Sequence, residues 1–434
     1  MEPKPAIAVV FQHIGPYHHA RLNAAAEKLL ATGLEWSARE YYPWGAAASL
    51  AGYHKVSLFP EAGDCFPGNA QLRRAFYATL QRARPDVVAV NGWNDFGSLA
   101  AANCCVCHGI PMVVMSESAR GDEPRTWWKE MIKRRIVDLY SAALVGGQRH
   151  VEYLVELGMP RDRIFTGYDV VDNAYFARRT LEIRKSHLRQ GYGGQAAFEI
   201  RKKYGLPENY FLASARFIEK KNLPRLIRAY AEYRQRSEVI RLRQGYGGQK
   251  GQTSAVSGEN APWDLVLLGD GPLRKTLNSQ LSTLNLHPHV HLPGFKPYDE
   301  LPVYYALASA FVHASTTEQW GLVVNEALAS GLPVIVSSRC GCVPELVQDN
   351  GFTFDPVDEH ELASRLSTMA SLSHDERQRL GDASYRIAMN FAPERFGAGL
   401  EQAAHLALRD PSKASLLGRV LIRLLSQMRA PQPP

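Results

Sequence analysis

The chain has little of what would mark several large protein classes. Its 434 residues hold six cysteines, too few and too irregularly placed for a disulfide framework. Cys104 and Cys107 form a C-x-x-C, but no second pair lies at zinc-finger spacing. These thiols, with Cys105, Cys340 and Cys342, read as small buried apolar residues, which suits a reducing compartment. No apolar run approaches the ~18 residues of a membrane span. The first residues carry Pro3 and Pro5 before a short strand-like run, which is not a signal peptide. The glycine-rich stretch Gly269–Pro272 is not G-x-G-x-x-G, so nothing points to NAD. A cytoplasmic protein with no resident cofactor is expected.

What is present is a normal core fraction, 45% apolar with 21% charged, and a net charge of +7. The excess of cations suits acidic partners: nucleotide phosphates, an anionic lipid surface or nucleic acid. No arginine–glycine run accompanies it, and no nucleic acid partner is expected. The length implies two or more domains. Short apolar segments alternate with helical patterns along the chain. Ala6–Phe11, Pro85–Val90, Pro111–Met115, Ala142–Val145 and Arg163–Val171 read as strands of a first half. Phe211–Ala215, Leu265–Leu268, Val290–Leu292, Ala310–His313, Pro333–Val336 and Gly351–Phe354 read as strands of a second. Such alternation predicts parallel, doubly wound sheets. In the first half a helix is expected over 20–30, with a strand beginning at Glu35.

The most informative stretch runs from Glu318 to Gly331, E-Q-W-G-L-V-V-N-E-A-L-A-S-G. It follows a strand and opens a helix near Gly321. Ligands of open α/β sheets bind outside the carboxyl ends of the strands. A helix start adds unpaired N–H groups of Gly321, Leu322 and Val323, which suit a phosphate. Glu326, inside the helix, can lean back toward the same crevice. Upstream, Arg216 and Lys221 stand between a strand and a helix. A helix start repels cations, so Arg216, Lys220 and Lys221 there point to a bound anion. Arg216 offers a guanidinium fork and Lys221 a point charge.

The E-x7-E spacing of Glu318 and Glu326 resembles that of the retaining glycosyltransferases of family 4. The segment from Arg216 to Lys221 is similar to that family's G-R-L-x-x-x-K-G loop, with Ala215 and Asn222 in place of its glycines. Gly269–Pro272 resembles its G-x-G-P, and Cys340–Leu346 its G-G-x-x-E, with Cys342 for the second Gly and Glu345 kept. The resemblance covers roughly residues 7–408 and is strongest over 207–356. It implies the GT-B fold, α/β with two Rossmann-like doubly wound parallel-sheet domains facing across a cleft. The expected layout is an acceptor-side domain over 1–180, a linker over 181–197 and a donor domain over 198–390. A helix over 391–410 is expected to cross back to the first domain, and a basic amphipathic tail covers 411–434.

The same resemblance implies a hexosyl transfer from a UDP- or GDP-sugar to a hydroxyl of a glycan or lipid-linked acceptor, in cell-surface polysaccharide or glycolipid synthesis. Glu318 would hold the sugar, Arg216 and Lys221 the diphosphate, and Glu326 the ribose. Gly15, Gly269, Phe295, Gly321, Leu322 and Val323 would frame the donor. His18, Trp93 and Glu117 fall on the acceptor side, where many relatives carry a His at the place of Glu117. No protein nucleophile is assigned, and the absence of a D-x-D motif makes metal independence the expectation. A GT-B nucleotide-sugar epimerase and a non-catalytic nucleotide-sugar-binding protein remain as alternatives.

Three features fall outside the resemblance. The octapeptide L-R-Q-G-Y-G-G-Q occurs twice, at Leu188–Gln195 and Leu242–Gln249. Both copies read as unstructured surface insertions, the second spanning 241–258 after a helix ending near Arg236. Trp127, Trp128, Lys129, Lys133, Arg134 and Arg135 form a basic aromatic helix, either a membrane-surface contact or core tryptophans beside a solvated basic face. Near the C-terminus, Leu416, Leu417, Val420, Leu421, Leu424, Leu425 and Met428 make one apolar helix face, with Arg419 and Arg423 opposite. That pattern fits peripheral attachment at the inner face of a membrane, or a helix packed on the first domain.

Overall fold

The computed structural model describes residues 3–37, 52–60, 67–186, 195–246 and 261–427. It divides into two compact units: Met1–Asp172 with Phe391–Pro434, and Asn173–Asn390. Unit 1 begins with β1 (Ala6–Phe11), α1 (Pro16–Lys28), β2 (Leu30–Glu35), β3 (His54–Ser57), α2 (Asn69–Ala83) and β4 (Val87–Asn91). It continues through α3 (Phe96–His108), β5 (Met112–Ser116), α4 (Trp127–Val137), β6 (Ala142–Val145), α5 (Gln148–Glu156) and β7 (Ile164–Thr166).

Unit 2 comprises α6 (Asn173–Ser186), α7 (Gln195–Tyr204), β8 (Tyr210–Ser214), α8 (Leu223–Tyr246), β9 (Asp264–Leu268), α9 (Arg274–Thr283) and β10 (Val290–Gly294). After these come α10 (Leu301–Leu307), β11 (Ala310–His313), α11 (Leu322–Ala329), β12 (Val334–Ser337), α12 (Val343–Leu346), β13 (Gly351–Phe354), α13 (Glu359–Ser371) and α14 (His374–Met389). The chain then returns to unit 1 with α15 (Pro393–Arg409) and α16 (Leu416–Leu425).

Unit 1 holds a seven-stranded sheet in the order β3-β2-β1-β4-β5-β6-β7, and unit 2 a six-stranded sheet, β10-β9-β8-β11-β12-β13. The strand pairs are parallel, as in Val9 beside Gly33 and Leu212 beside Val266. Parallel strands covered by helices on both faces must be apolar on both. In β1, Ala8 and Val10 join one core with Leu34, Val88 and Val114, while Ile7, Val9 and Phe11 join another with Val87 and Leu144. That second layer is completed by Phe396, Leu400, Ala403, Ala404 and Ala407 of α15. Gly397 makes the close approach feasible, since a Cβ there would lie 2.6 Å from the Ala24 carbonyl. In each sheet the strand order reverses once, between β1 and β4 and between β8 and β11. These are the switch points at which such sheets form crevices.

Some element borders differ from the sequence reading. α1 starts at Pro16, a residue suited to the first helical turn, and ends at Lys28, so β2 runs over Leu30–Glu35 rather than beginning at Glu35. α8 continues past Arg236 to Tyr246, taking in the first residues of the second octapeptide. Ser237 to Gln244 contains neither Pro nor Gly, so nothing in its backbone stops the helix there. The rest of that insertion, residues 247–258, and the first octapeptide over 188–194 lie outside the described residues, as does Met428.

Candidate functional site

The loops leaving β8 and β11 meet at the switch point of unit 2. Thr316 N–H donates to the Lys220 carbonyl at 2.9 Å, fastening the two loops together. Between β8 and α8 the chain makes a single 3-10 turn, Glu219–Lys221, closed by Asn222 in the left-handed region with φ 59°. Asn tolerates this conformation better than most residues. Its buried side chain also donates to the carbonyls of Ala314 at 3.0 Å and Pro356 at 2.8 Å. Asn222 therefore does what a glycine would do for the backbone and adds two ties to neighbouring loops.

This turn aims Lys221 at Glu318, and the two form an ion pair. Glu318 Oε2 also lies 3.1 Å from His313 Nε2 and accepts from Ser315 Oγ at 3.1 Å. Burial alone would push the Glu318 carboxyl up; His313 and then Lys221 outweigh it and hold it well below the usual carboxylate range. Glu318 is thus an anion at all ordinary pH values, with a hydrogen-bond network around one oxygen. Its backbone is fixed as well: it bridges to Cys340, and Gly341 N–H donates to its carbonyl at 2.9 Å. A Cβ on Gly341 would lie 1.6 Å from the Gln319 carbonyl, so no side chain fits there.

Gly321 caps α11 with φ 106°, a conformation that favours glycine. The N–H groups of Leu322 and Val323 fall in the first turn, where an α-helix has no partners of its own to offer. Arg216 is exposed at the end of β8. Gly269 (φ 122°) and Gly271 (φ 153°) bring the β9 loop against the β8 loop; a Cβ on Gly269 would sit 1.9 Å from the Ala215 carbonyl. Phe295, just after β10, is about half exposed. The arrangement offers an ionised carboxylate, two cations and a helix N-terminus at the carboxyl ends of β8 and β11. That set can hold hydroxyl groups and an anion together.

Glu326 behaves differently from Glu318. It is buried, and its carboxylate accepts from Tyr305 Oη at 2.6 Å. Beside the lean along the helix, the basis for expecting it in the crevice, its carboxylate thus has a partner on α10. His313 and Ser315 were missed by the sequence reading, where His313 counted only as the end of an apolar strand. The available signal was a histidine at the carboxyl end of a buried parallel strand, where ligand-binding side chains collect.

In unit 1 the candidates gather at the other switch point. Gly15 caps α1, and its N–H donates to His18 Nδ1 at 3.1 Å. Nδ1 is therefore unprotonated and Nε2 carries the proton. Burial, then Arg21, lowers the His18 pKa to about 3. Glu117 follows β5. It neighbours Asp169, whose carboxyl is pushed far up by burial and then by Glu117. Arg21, fully buried, lies over the Tyr168 ring at 4.6 Å and 3.6 Å from Asp169 Oδ1. Tyr168 Oη donates to Asn91 Oδ1 at 2.9 Å. Trp93 does not join this group. It is 4% exposed and packs in the core with Trp36 and Leu72. The area gained by burying an indole outweighs any advantage of showing it to a ligand. Among the described residues, no group of three or more His, Cys, Asp or Glu side chains is placed to hold a metal. Cys104 and Cys105 are buried in α3, their thiols pushed up by burial.

Residues 197–387, all within unit 2, match the family described as glycosyl transferases group 1. Two curated relatives align over shorter stretches. The sulfoquinovosyl transferase SQD2 of Arabidopsis thaliana is 36% identical over 120 residues, 26% of this chain and 22% of the relative. The alpha-monoglucosyldiacylglycerol synthase of Streptococcus pneumoniae is 28% identical over 197 residues, 44% of this chain and 39% of the relative. The chain thus spans less than half the length of these relatives. Anabaena HepE, solved in complex with UDP and glucose, superposes with a TM-score of 0.64 over 91% of this chain and 98% of its own, at 17% identity. That likeness, with the two parallel sheets, shows the fold to be GT-B.

Proposed function

We propose that the protein is a retaining glycosyltransferase of family 4 type, moving a hexosyl group from a UDP- or GDP-sugar to a hydroxyl of a glycan or lipid-linked acceptor. The observation that carries this reading is the Lys221–Glu318–His313–Ser315 cluster beside the N-terminus of α11. The match of residues 197–387 to a glycosyltransferase family supports it. So do a relative named as a sulfoquinovosyl transferase, a relative named for monoglucosyldiacylglycerol synthesis, and a structural neighbour holding UDP and glucose.

The demanding part of the reaction is departure of the nucleoside diphosphate as the sugar becomes oxocarbenium-like. Arg216, Lys221 and the N–H groups of Leu322 and Val323 stabilise the charge that grows on the phosphates. Glu318, held ionised, accepts hydroxyl hydrogen bonds and orients the ring. Its ion pair with Lys221 presets both groups, so little reorganisation is needed when the donor arrives. With cations of the protein in this role, transfer is metal-independent and survives EDTA. His18, neutral and with Nε2–H free to donate, and Glu117 are assigned to the acceptor. The protein works in the cytoplasm, with peripheral attachment to the inner membrane face bringing it to lipid-linked acceptors.

The test is a panel of nucleotide sugars screened by thermal shift, since a ligand of the folded state raises its Tm. Transfer assays with the binders then follow, with the product anomer read by NMR. Retained configuration supports the proposal and inversion refutes it. Epimerisation of the free nucleotide sugar without an acceptor would move the protein to the epimerase reading, and no binding at all would remove the donor site.

A further inference from the structure

The last helix of unit 1, α16, is firmly docked. Ile422 is fully buried in the core with Leu139 and Tyr140. Ser412 N–H donates to Ser141 Oγ at 2.9 Å and Ser412 Oγ to the Asp138 carbonyl at 2.6 Å. Arg163 Nη1 donates to the Asp410 carbonyl at 3.1 Å, and Arg73 to that of Ser426 at 2.7 Å. The helix is tied before its start, at its middle and at its end. Its single apolar face, as read from the sequence, is in fact two. Leu421 and Leu425 turn inward beside Ile422. Leu416, Leu417, Val420 and Leu424 point away, at 79%, 59%, 48% and 57% exposed.

α4, which contacts α16, shows the same anomaly. Trp127, Trp128 and Met131 are 74%, 48% and 54% exposed. Trp127 and Met131 stand one turn apart on one side of the helix. The two exposed faces are joined: Met131 and Leu417 line the same groove, about 1090 Å³ in volume, with Leu157 and Met159 in its wall and Arg134, Arg135 and Lys413 around it. Lys129, Arg134, Arg135, Lys413, Arg419 and Arg423 are exposed. Among the described residues none of the six lies within 4.0 Å of a carboxylate. Asp138 and Asp410 are the exposed acids of the groove, and Asp410 is paired with Arg163. Exposed tryptophans and leucines flanked by unpaired cations are the complement of an anionic bilayer, which offers an apolar interior beneath a layer of phosphates.

We infer that the α4–α16 face of unit 1 is a docking surface for an anionic phospholipid bilayer. Trp127, Trp128, Met131, Leu416, Val420 and Leu424 enter the headgroup region, and Arg134, Arg135 and Lys413 receive a lipid phosphate at the groove. This deepens the membrane part of the proposed function, rests on that part alone, and is independent of the donor chemistry.

The experiment is co-sedimentation of the full chain with phosphatidylglycerol-containing vesicles and with pure phosphatidylcholine vesicles. Alongside run a triple variant Leu416→Glu, Val420→Glu, Leu424→Glu and a double variant Arg134→Glu, Arg135→Glu. The wild type is expected to sediment with the anionic vesicles and far less with the neutral ones. Each variant should lose partitioning by about tenfold or more, with Tm unchanged because the replaced side chains are exposed. Retained nucleotide-sugar thermal shifts in the variants keep a failure here distinct from a failure of the transferase reading. A wild type that stays in solution with both vesicles overturns the inference. So does equal binding by the variants, or a dimer in sedimentation velocity that the triple variant dissociates without any vesicle binding.

Discussion

The two units share one sheet topology and put their polar residues at the same place, the point where strand order reverses, yet they use it differently. In unit 2 the switch point presents a charged group that is only partly enclosed, Glu318 with Lys221, and an exposed Arg216. In unit 1 it encloses its polar groups: Arg21 is buried beside Asp169, whose carboxyl is pushed far up by burial, and His18 is held neutral. An ion pair left partly open can exchange its partner for a ligand, while buried polar groups mainly fix their surroundings. One fold thus makes a receptor for a charged ligand in one unit and a shaped polar wall in the other.

The contrast breaks most readily at Glu318. Glu318→Gln should lower kcat/KM by about a hundredfold or more, the scale of removing a preorganised electrostatic contact; near-normal kinetics would dismiss it from the site. The same variant reports on stability. The folded Glu318 lies below its ordinary 4.5, so its contribution is complete above that pH and is lost as pH falls toward the depressed value. The Tm gap between wild type and variant should therefore be widest near neutrality and close in acid. Next in size are Arg216→Ala and Lys221→Ala, each expected to cost about tenfold in kcat/KM. Unchanged kinetics in both would take the phosphate out of this loop.

Smaller effects sharpen the comparison. Asn222→Ala removes two buried side-chain bonds and puts alanine, which tolerates the left-handed region less well than asparagine, at φ 59°. A loss of about 2–4 kcal/mol is expected in denaturant unfolding; Asn222→Gly, free of the backbone penalty, should lose less. In unit 1, His18 has its folded pKa lowered from 6.5 to about 3. Between those values the unfolded chain binds the proton and the folded one does not, so stability rises with pH across that window. His18→Gln should flatten that part of the stability–pH curve, and an unaltered slope would show that His18 takes up its proton freely.

The donor half was the legible one, because its chemistry comes as short local spacings. Arg216 and Lys221 share one loop, and Glu318 stands just ahead of a glycine that opens a helix. Such signals survive in a linear reading. His313 escaped because burial in a strand and service to a neighbouring carboxylate look alike in one dimension. Glu326 was placed correctly on its helix, but which way its carboxylate turns depends on Tyr305, a partner on another element. Trp93 shows the converse: the sequence marked an aromatic beside a strand end, and packing claimed it. The face of α16 was visible as amphipathic, but its division into inner and outer rows needed the position of α3 and α4.

The return of the chain to unit 1 after Asn390 sets an order on folding during synthesis. Unit 2 is continuous in sequence and can close its core as soon as α14 has left the ribosome. Unit 1 cannot, because Phe396, Leu400 and Ala403 complete the layer beneath Ile7 and Val9. Its sheet must wait, with the part of that apolar side that α15 covers left open, through the translation of the whole of unit 2. A nascent chain halted near Asn390 would carry a finished domain joined to an unfinished one, and the unfinished sheet is where a chaperone would bind.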